Sequence, residues 1–325
     1  MGDLEQKTVK IDNREIAVDN SGEGKPLGYL FWYSISHEEI KVDEMRRLCV
    51  DNNLSFERFF FEIKRENVYM NVTKTFEDKN VLQSGTFTVL VRTVTPEGKR
   101  ASGKKRFVVE EYRANDNSKP KYTVLGYWNF DVENESVESV SYFKDGDPEH
   151  TKFQEMTGKL KQDMDYYMDI YTDKHIRDAL RRIMKEIKAI PLRPSGGVYF
   201  SPWKSHITLE SVDELVNSFG DSTEIYLVKV VDNEREKDML FYKFEEYAIA
   251  QAEALIEEVK GISESGKKVR TSTFKRVVES AQSILETRKE YEEALNTEFS
   301  KADFIIEVLE RNIQELSAKV GGGEQ

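Results

Sequence analysis

The sequence contains little of what disulfide-bonded, zinc-binding or membrane-spanning proteins need. Its one cysteine, Cys49, cannot form an intrachain disulfide, which favours a reducing compartment. The four histidines are scattered and, with Cys49, make no pair at the spacing of zinc ligands. No Ser-His-Asp, Cys-His or cofactor-binding pattern is visible, so the sequence predicts no metal, no cofactor and no recognisable catalytic residue.

Long apolar runs are also missing. No stretch approaches the roughly 20 residues that cross a bilayer. The opening residues MGDLEQKTVK lack the charged and then apolar pattern of a signal peptide. We therefore expect a cytoplasmic protein with no membrane partner.

Apolar and charged residues are both plentiful. Of the 325 residues, 38% are hydrophobic, including 18 Phe and 15 Tyr, which is enough for a real core. Charged residues make up 33%, as is typical of long solvent-exposed helices. The net charge of −12 argues against a protein that coats nucleic acid over its whole surface, but it leaves room for a local basic site.

The pattern of apolar residues predicts an α+β protein whose globular part is an antiparallel sheet with covering helices. We predict a hairpin at 8–18 that turns at Asp12-Asn13. The further predicted strand pairs are Phe87–Val94 with Arg106–Arg113, and Tyr122–Asp131 with Val137–Phe143. After a helical region at 148–190 we expect a strand at Val198–Ser201, a helix at Ser211–Phe219 and a strand at Glu224–Val231. We divide this part into an N-terminal domain, 1–147, and a middle region, 148–232.

The C-terminal part, 233–320, predicts a coiled-coil hairpin of two long helices, with a short tail at 321–325. The helices are Asn233–Ser263 and Thr273–Val320, and the second carries apolar residues in steps of three and four over its length. At 1.5 Å per residue they would be about 45 and 70 Å long. About 15 residues of the longer helix then lack an intrachain partner. These residues must then pack on the globular part or on another subunit. We favour self-association, through a seam formed by Ile305, Leu309, Ile313 and Leu316.

A stripe of cations lies on the helix before the C-terminal part. Its members, within about 80° of one another on a helical wheel, are Lys174, Arg177, Arg181, Lys185 and Lys188. Arg193 continues the positive charge into the next turn. The stripe can bind phosphate, an acidic neighbouring subunit or an acidic partner protein, or it can be a solvated outer face.

A second basic element is the hairpin segment GKRASGKKR. Its cations are Lys99, Arg100, Lys104, Lys105 and Arg106. On a loop they could contact a nucleic-acid backbone without reading bases, or they could simply be solvated.

The segment Arg193-Pro-Ser-Gly-Gly stands between the helical region and the strand at Val198. Glycines such as Gly196 and Gly197 let a backbone adopt positive φ and approach a ligand. A phosphate-binding loop requires strand, glycine loop and then helix, which is the opposite order. We interpret the segment as a helix-to-strand turn, with a ligand-touching turn as the alternative.

The stretch Leu192–Pro202, LRPSGGVYFSP, resembles a motif in uncharacterised proteins of phages, prophages and their hosts. The run Trp32-Tyr33-Ser34 before a short helix is similar to the same group. The resemblance implies a phage-linked or defence-linked assembly factor and brings no activity or catalytic residues with it.

Three functional hypotheses follow. The first is a non-enzymatic, oligomeric interaction protein that uses a basic surface and the coiled-coil hairpin to bind a protein partner. The second is a nucleic-acid-handling protein that grips phosphates with the stripe from Lys174 to Arg193. The third is an enzyme whose site surrounds Gly196, Tyr199 and His206.

Overall fold

The structure is a computed structural model that describes residues 7–11, 14–18, 26–76, 78–82, 85–94, 103–112, 119–193, 196–220, 223–264 and 269–321. The chain forms two compact units. The first unit comprises Met1–Glu38, Arg46–Phe59 and Asp173–Gln325, and the second unit comprises Glu39–Met45 and Phe60–Thr172. Both are discontinuous in sequence, whereas the division at 147 and 232 that we predict is sequential and stays a prediction.

Within the described ranges the strands are β1 (Lys7–Ile11), β2 (Arg14–Val18), β3 (Pro26–Ser34), β4 (Glu39–Lys41), β5 (Asp78–Leu82), β6 (Gly85–Val94), β7 (Gly103–Tyr112), β8 (Lys121–Asp131), β9 (Ser136–Ser141), β10 (Ile170–Thr172), β11 (Ile190–Pro191), β12 (Tyr199–Pro202) and β13 (Glu224–Val231). The α-helices there are α1 (Val42–Asp51), α2 (Phe56–Phe59), α3 (Arg65–Thr75), α4 (Pro148–Tyr167), α5 (Asp173–Glu186), α6 (His206–Asn217), α7 (Glu234–Glu264), α8 (Thr271–Leu295) and α9 (Ser300–Gly321).

The first unit is built on an antiparallel sheet in the order β1-β2-β13-β3-β12-β11. Its strand β3 reads PLGYLFWYS, a continuous apolar run that is typical of a strand covered on both faces. In register, Tyr33 lies opposite Ile225 of β13, and Phe31 lies opposite Tyr199 of β12. Gly28 permits the close approach to β12, because a Cβ there would lie 2.1 Å from the carbonyl oxygen of Ser201.

Helices cover both faces of this sheet. Leu30 and Phe200 share one face and belong to a core cluster with residues of α7, α8 and α9, such as Phe244. On the other face the hydroxyl of Tyr29 donates a hydrogen bond of 2.7 Å to Glu210 of α6. The sheet is therefore the middle layer of the first unit.

The C-terminal part is a bundle of three helices, which corrects the predicted two-helix hairpin. The second long helix ends at Leu295, because Asn296 adopts a left-handed conformation, and the chain resumes as α9 at Ser300. Rings of Tyr291 and Phe299 pack against Phe244, at 4.6 and 4.4 Å between centroids. Helix α8 therefore runs antiparallel to α7, and α9 turns back alongside both.

This return of α9 covers the seam that we expected to remain open. Leu309 and Leu316 are 2% and 0% exposed, in a cluster with Val259 of α7 and Val277 of α8. Ile305 and Ile313 are partly buried against the same cluster. The chain's own helices cover these side chains, which removes the reason for expecting self-association through them.

The second unit is a five-stranded antiparallel sheet, β5-β6-β7-β8-β9, with α3 and α4 packed on one face. Its core includes Trp128 of β8, whose indole N–H donates 2.9 Å to the hydroxyl of Thr157 in α4. Trp128 also stacks on Phe153, with 6.1 Å between ring centroids. A two-stranded pair, β4 with β10, belongs to the same unit.

The expected mixed α+β class with antiparallel sheets is confirmed. No helix in the described part of the chain combines the length and the apolar character that crossing a membrane requires.

Candidate anion-binding site

Helix α5 has two distinct faces, as the sequence indicates. Ile176, Leu180 and Ile183 are buried, each at or below 4% exposure. Lys174, Arg177, Arg181 and Lys185 lie on α5 outside this apolar face, in keeping with a helical repeat of 3.6 residues. Lys188 follows the end of the helix with φ of +52°, which corrects the predicted stripe of five helical cations. Further along the chain, Ile187 and Ile190 continue the buried side into the next strand.

Three members of the stripe are paired with carboxylates of the chain itself. Arg177 forms an ion pair with Asp173 and also donates 2.7 Å to the carbonyl oxygen of Ile35. Arg181 pairs with Asp178 at 2.5 Å, and Lys188 pairs with Glu286 of α8 at 2.7 Å. These pairs reduce the positive charge that the stripe presents, although exposed pairs such as that of Arg181 exchange readily for other anions.

Two other cations of the stripe, Lys174 and Lys185, differ from these three. Lys174 and Lys185 form no ion pair with any residue in the described ranges, and Lys185 is exposed. Arg193 is partly buried, and its carbonyl oxygen accepts a hydrogen bond of 2.9 Å from the amide of Gly196. The stripe is therefore discontinuous in charge, which the sequence alone did not show.

The second basic element belongs to the second unit. Lys99 and Arg100 lie outside the described residues. Lys104 and Lys105 are residues of strand β7, not of a loop as we expected, because the strand begins at Gly103. The ammonium group of Lys105 lies 4.7 Å from the centre of the Tyr127 ring.

The glycine segment joins two antiparallel strands, β11 and β12, which corrects the predicted helix-to-strand turn. The amide of Leu192 donates 2.9 Å to the carbonyl oxygen of Val198, closing the hairpin. Gly196 and Gly197 have φ of +74° and +89°, a region that other residues rarely adopt. The glycines are needed for the turn itself, whatever else the loop contacts.

Two tyrosines lie beside this loop. The rings of Tyr33 and Tyr199 are nearly parallel, 6.1 Å apart with an angle of 10°. Phe31 stacks on the same Tyr199 ring at 5.5 Å. A Cβ on Gly196 would lie 3.3 Å from the Tyr199 hydroxyl oxygen, so that hydroxyl sits directly against the loop.

Arg177 and Arg181 act on Tyr33, one of these two tyrosines. Burial raises the pKa of Tyr33 above its ordinary value, and the neighbouring Tyr199 raises this pKa further. The guanidinium groups of Arg181 and Arg177 oppose the increase in this pKa. Both cations are therefore close enough to Tyr33 to stabilise negative charge beside it.

We call the group formed by Tyr33, Arg177, Arg181, Gly196 and Tyr199 the tyrosine–arginine corner. Its two hydroxyls can donate hydrogen bonds, and its two guanidinium groups supply charge and further N–H donors. These are the groups that bind phosphate or carboxylate oxygens in proteins. Sequence reasoning found the arginines and the glycine but missed Tyr33, which the two-residue alternation of β3 places on the same face as Phe31.

A family profile matches residues 26–322, which includes every described helix and strand except β1 and β2. The chain belongs to DUF6744, described as a family of unknown function. No curated protein and no solved structure matches the chain.

In this DUF6744 chain, His206 is set apart from the corner. Its ring stacks on Trp203 at 4.4 Å, and its Nδ1 lies 2.9 Å from the Trp203 carbonyl oxygen. In the part of the chain that the structure describes, His206 makes no hydrogen bond or ring contact with Tyr199. The described residues also include no group of three or more His, Cys, Asp or Glu side chains placed to hold a metal ion.

Proposed function

We propose that this protein is a non-enzymatic binding protein that holds a phosphate-bearing partner at the tyrosine–arginine corner. One observation carries the proposal: Tyr33, which stacks against Tyr199, lies within the electrostatic influence of both Arg177 and Arg181. Hydroxyl and guanidinium donors together suit an oxyanion with several acceptor oxygens.

A local site fits these contacts better than a long cationic track. Arg177, Arg181 and Lys188 each have a carboxylate partner within the chain. A protein that follows a nucleic-acid backbone releases counterions through many cations that are not already neutralised. Recognition of one or two phosphate groups at the corner requires fewer available charges.

Binding assays with three probes test the proposal. The full chain is titrated with inorganic pyrophosphate, with a 12-nucleotide single-stranded DNA and with a poly-glutamate peptide, each at two salt concentrations. We expect pyrophosphate or DNA to bind and poly-glutamate to bind at least about tenfold more weakly, since planar carboxylates present fewer oxygens to the donors. Tight DNA binding with steep salt dependence identifies a nucleic acid as the source of the phosphate, and pyrophosphate binding alone identifies a small molecule.

Matched variants locate the binding. Arg181→Gln and Tyr33→Phe should each weaken phosphate binding about tenfold or more, and Lys174→Gln, on the same helix, should leave it within about twofold. Preference for poly-glutamate, or unchanged affinity in both corner variants, would overturn the assignment to phosphate at this corner.

The biological setting that we propose is phage-linked or defence-linked. Its support is the resemblance of Leu192–Pro202 to phage and prophage proteins. Capture of the protein's bound partners from phage-infected and uninfected cells, with nucleic acid and protein both identified, tests it. Identical partners in the two samples would count against the setting without affecting the corner.

A further inference from the structure

A cleft of about 340 Å³ is lined by α7 and α8, together with one residue of α5, and by no residue of the corner. The lining residues of both helices follow the same spacing. They are residues 247, 251, 254, 255 and 258 of α7, and residues 276, 280, 283, 284 and 287 of α8. These steps of three and four place each set on a single helix face. The cleft is therefore a groove along the antiparallel α7–α8 pair.

Small side chains keep this groove open. Ala254, Ser280 and Ser283 line it where larger side chains would close the gap between the helices. Helix α9 does not fill this space, because its Leu309 and Leu316 pack in the cluster that contains Val259 and Val277. Leu255 and Ile284 supply the apolar part of the lining.

The remaining lining is rich in hydrogen-bonding groups. Burial raises the pKa of Tyr247 above its ordinary value, so its hydroxyl stays protonated and can donate. The hydroxyl of Thr287 donates 2.7 Å to the carbonyl oxygen of Ser283, which leaves its own oxygen able to accept. The Tyr247 hydroxyl and the Gln251 amide make no hydrogen bond to another residue of the described ranges.

The two ends of the cleft differ in charge. Arg276 and Glu258 form a bidentate ion pair, so that end is close to neutral. Lys185 of α5 also lines the cleft and has no ion-pair partner among the described residues. Lys188, three residues further on, pairs with Glu286 of α8, next to Thr287, so Lys185 supplies a positive charge toward the Thr287 end of the cleft.

We propose that this cleft binds a small organic anion, a phosphate monoester or a carboxylate that also carries several hydroxyl groups. The anionic group lies at Lys185 and Tyr247, and the hydroxyl groups hydrogen-bond to Gln251, Ser283 and Thr287. The volume falls in the range of about 300–1,000 Å³ that is usual for small-molecule sites, which often lie between helices of bundles. This site is independent of the corner and of the function proposed for it.

Three matched probes test the cleft on the full chain carrying Arg181→Gln, which weakens phosphate binding at the corner: glucose 6-phosphate, gluconate and glucose. Saturation-transfer NMR detects weak binding, and calorimetry measures the affinity of any probe that binds. We expect at least one of the two anions to bind about tenfold or more tightly than glucose. The stronger anion distinguishes phosphate from carboxylate. Failure of both anions to bind more tightly than glucose overturns the proposal.

Variants separate this site from the corner. Lys185→Gln removes the positive charge, and Ser283→Leu fills the groove. Each should weaken anion binding about tenfold or more. Lys174→Gln should leave it within about twofold, and all of these variants are made in the Arg181→Gln background. Because Ser283→Leu can disturb packing, its thermal unfolding is measured alongside. If that variant fails to fold, Lys185→Gln, a change at an exposed position, is the deciding test. Unchanged affinity in Lys185→Gln, or equal loss in Lys174→Gln, contradicts a separate site in the cleft.

Discussion

The hydroxyl oxygen of Tyr291 in α8 lies 3.0 Å from the carbonyl oxygen of Phe200 in β12. The same hydroxyl lies 3.1 Å from the carbonyl oxygen of Lys188. Tyr291 is fully buried, and burial raises its pKa well above the ordinary value, so it remains a neutral donor. One side chain thus links the helical bundle, the sheet and the end of the α5 segment.

We expect Tyr291→Phe to lower the free energy of unfolding by about 1–3 kcal/mol, because the carbonyl oxygens of Phe200 and Lys188 lose a buried donor. Urea unfolding followed by circular dichroism measures the change. Tyr242→Phe is the matched control, since Tyr242 is exposed on α7 and should change stability by less than about 0.5 kcal/mol. Equal stability of both variants would show that the hydrogen bond contributes nothing.

Leu309→Asp should unfold or strongly destabilise the single chain, by at least about 3 kcal/mol, because it buries a carboxylate among apolar side chains of the bundle. Phe304→Asp, four residues from the start of α9 and 72% exposed, should leave stability nearly unchanged. Urea unfolding combined with light scattering separates loss of fold from loss of assembly. A Leu309→Asp protein that keeps its stability and only changes mass would contradict intrachain burial.

Gly28→Ala should be among the more damaging single changes in the first unit. The added Cβ would lie 2.1 Å from the Ser201 carbonyl oxygen, so β3 and β12 must move apart, at a cost of about 1–3 kcal/mol or more. Gly261→Ala in α7 meets open space and should instead stabilise by about 0.5–1 kcal/mol. Thermal unfolding that ranks the two variants in the opposite order would refute this packing.

The ion pair of Lys188 with Glu286 predicts a specific pH dependence. The hydrogen bond and charge of Lys188 hold the pKa of Glu286 below its ordinary value. A carboxyl group with a lowered folded-state pKa stabilises the fold above its unfolded-state pKa and loses that contribution as the pH falls through the folded-state pKa. The contribution is small, because the Glu286 side chain is mostly exposed.

Carbon-13 NMR of the glutamate carboxyl groups measures this pKa directly. In Lys188→Gln the pKa of Glu286 should return to its ordinary value, whereas Lys174→Gln should not move it. A Glu286 pKa that is the same with and without the Lys188 ammonium group would exclude the pairing in solution.

Local patterns predicted the strands well. The segment Glu224–Val231 is β13 with the same bounds, and the strands β1 and β2 pair within the predicted hairpin 8–18, because alternation and turn residues are short-range signals. The predicted turn residues Asp12 and Asn13 lie outside the described residues. The predicted helix start at Ser211 is wrong. Helix α6 begins at His206, and Ser211 is buried within it.

The break in the second long helix was hidden by its own apolar repeat. Leu295, Phe299 and Ala302 keep steps of three and four through the turn, since each still faces the bundle. The signals of the break were Asn296, which tolerates the left-handed conformation, and Ser300 with Asp303 three residues later at the next helix start.

The corner could be predicted only in part, for a different reason. Periodicity gives the face of a helix, so Arg177 and Arg181 were found together. Tyr33 and Tyr199 are 166 positions apart in the sequence, and only the pairing of β3 with β12 brings them together. A single sequence contains no signal for that pairing.

The strand pairing of β3 also sets an order of events during synthesis. Its neighbours β12 and β13 come late in the sequence. After Ser34, the ribosome must add almost two hundred residues, ending at Val231, before both neighbours of β3 are present. At roughly 5–20 residues per second, the interval is about 10–40 s. Throughout that time the apolar strand PLGYLFWYS lacks its partner strand β13, whereas residues 60–172 can already fold. We therefore expect chaperones to retain nascent chains that are stalled before Val231.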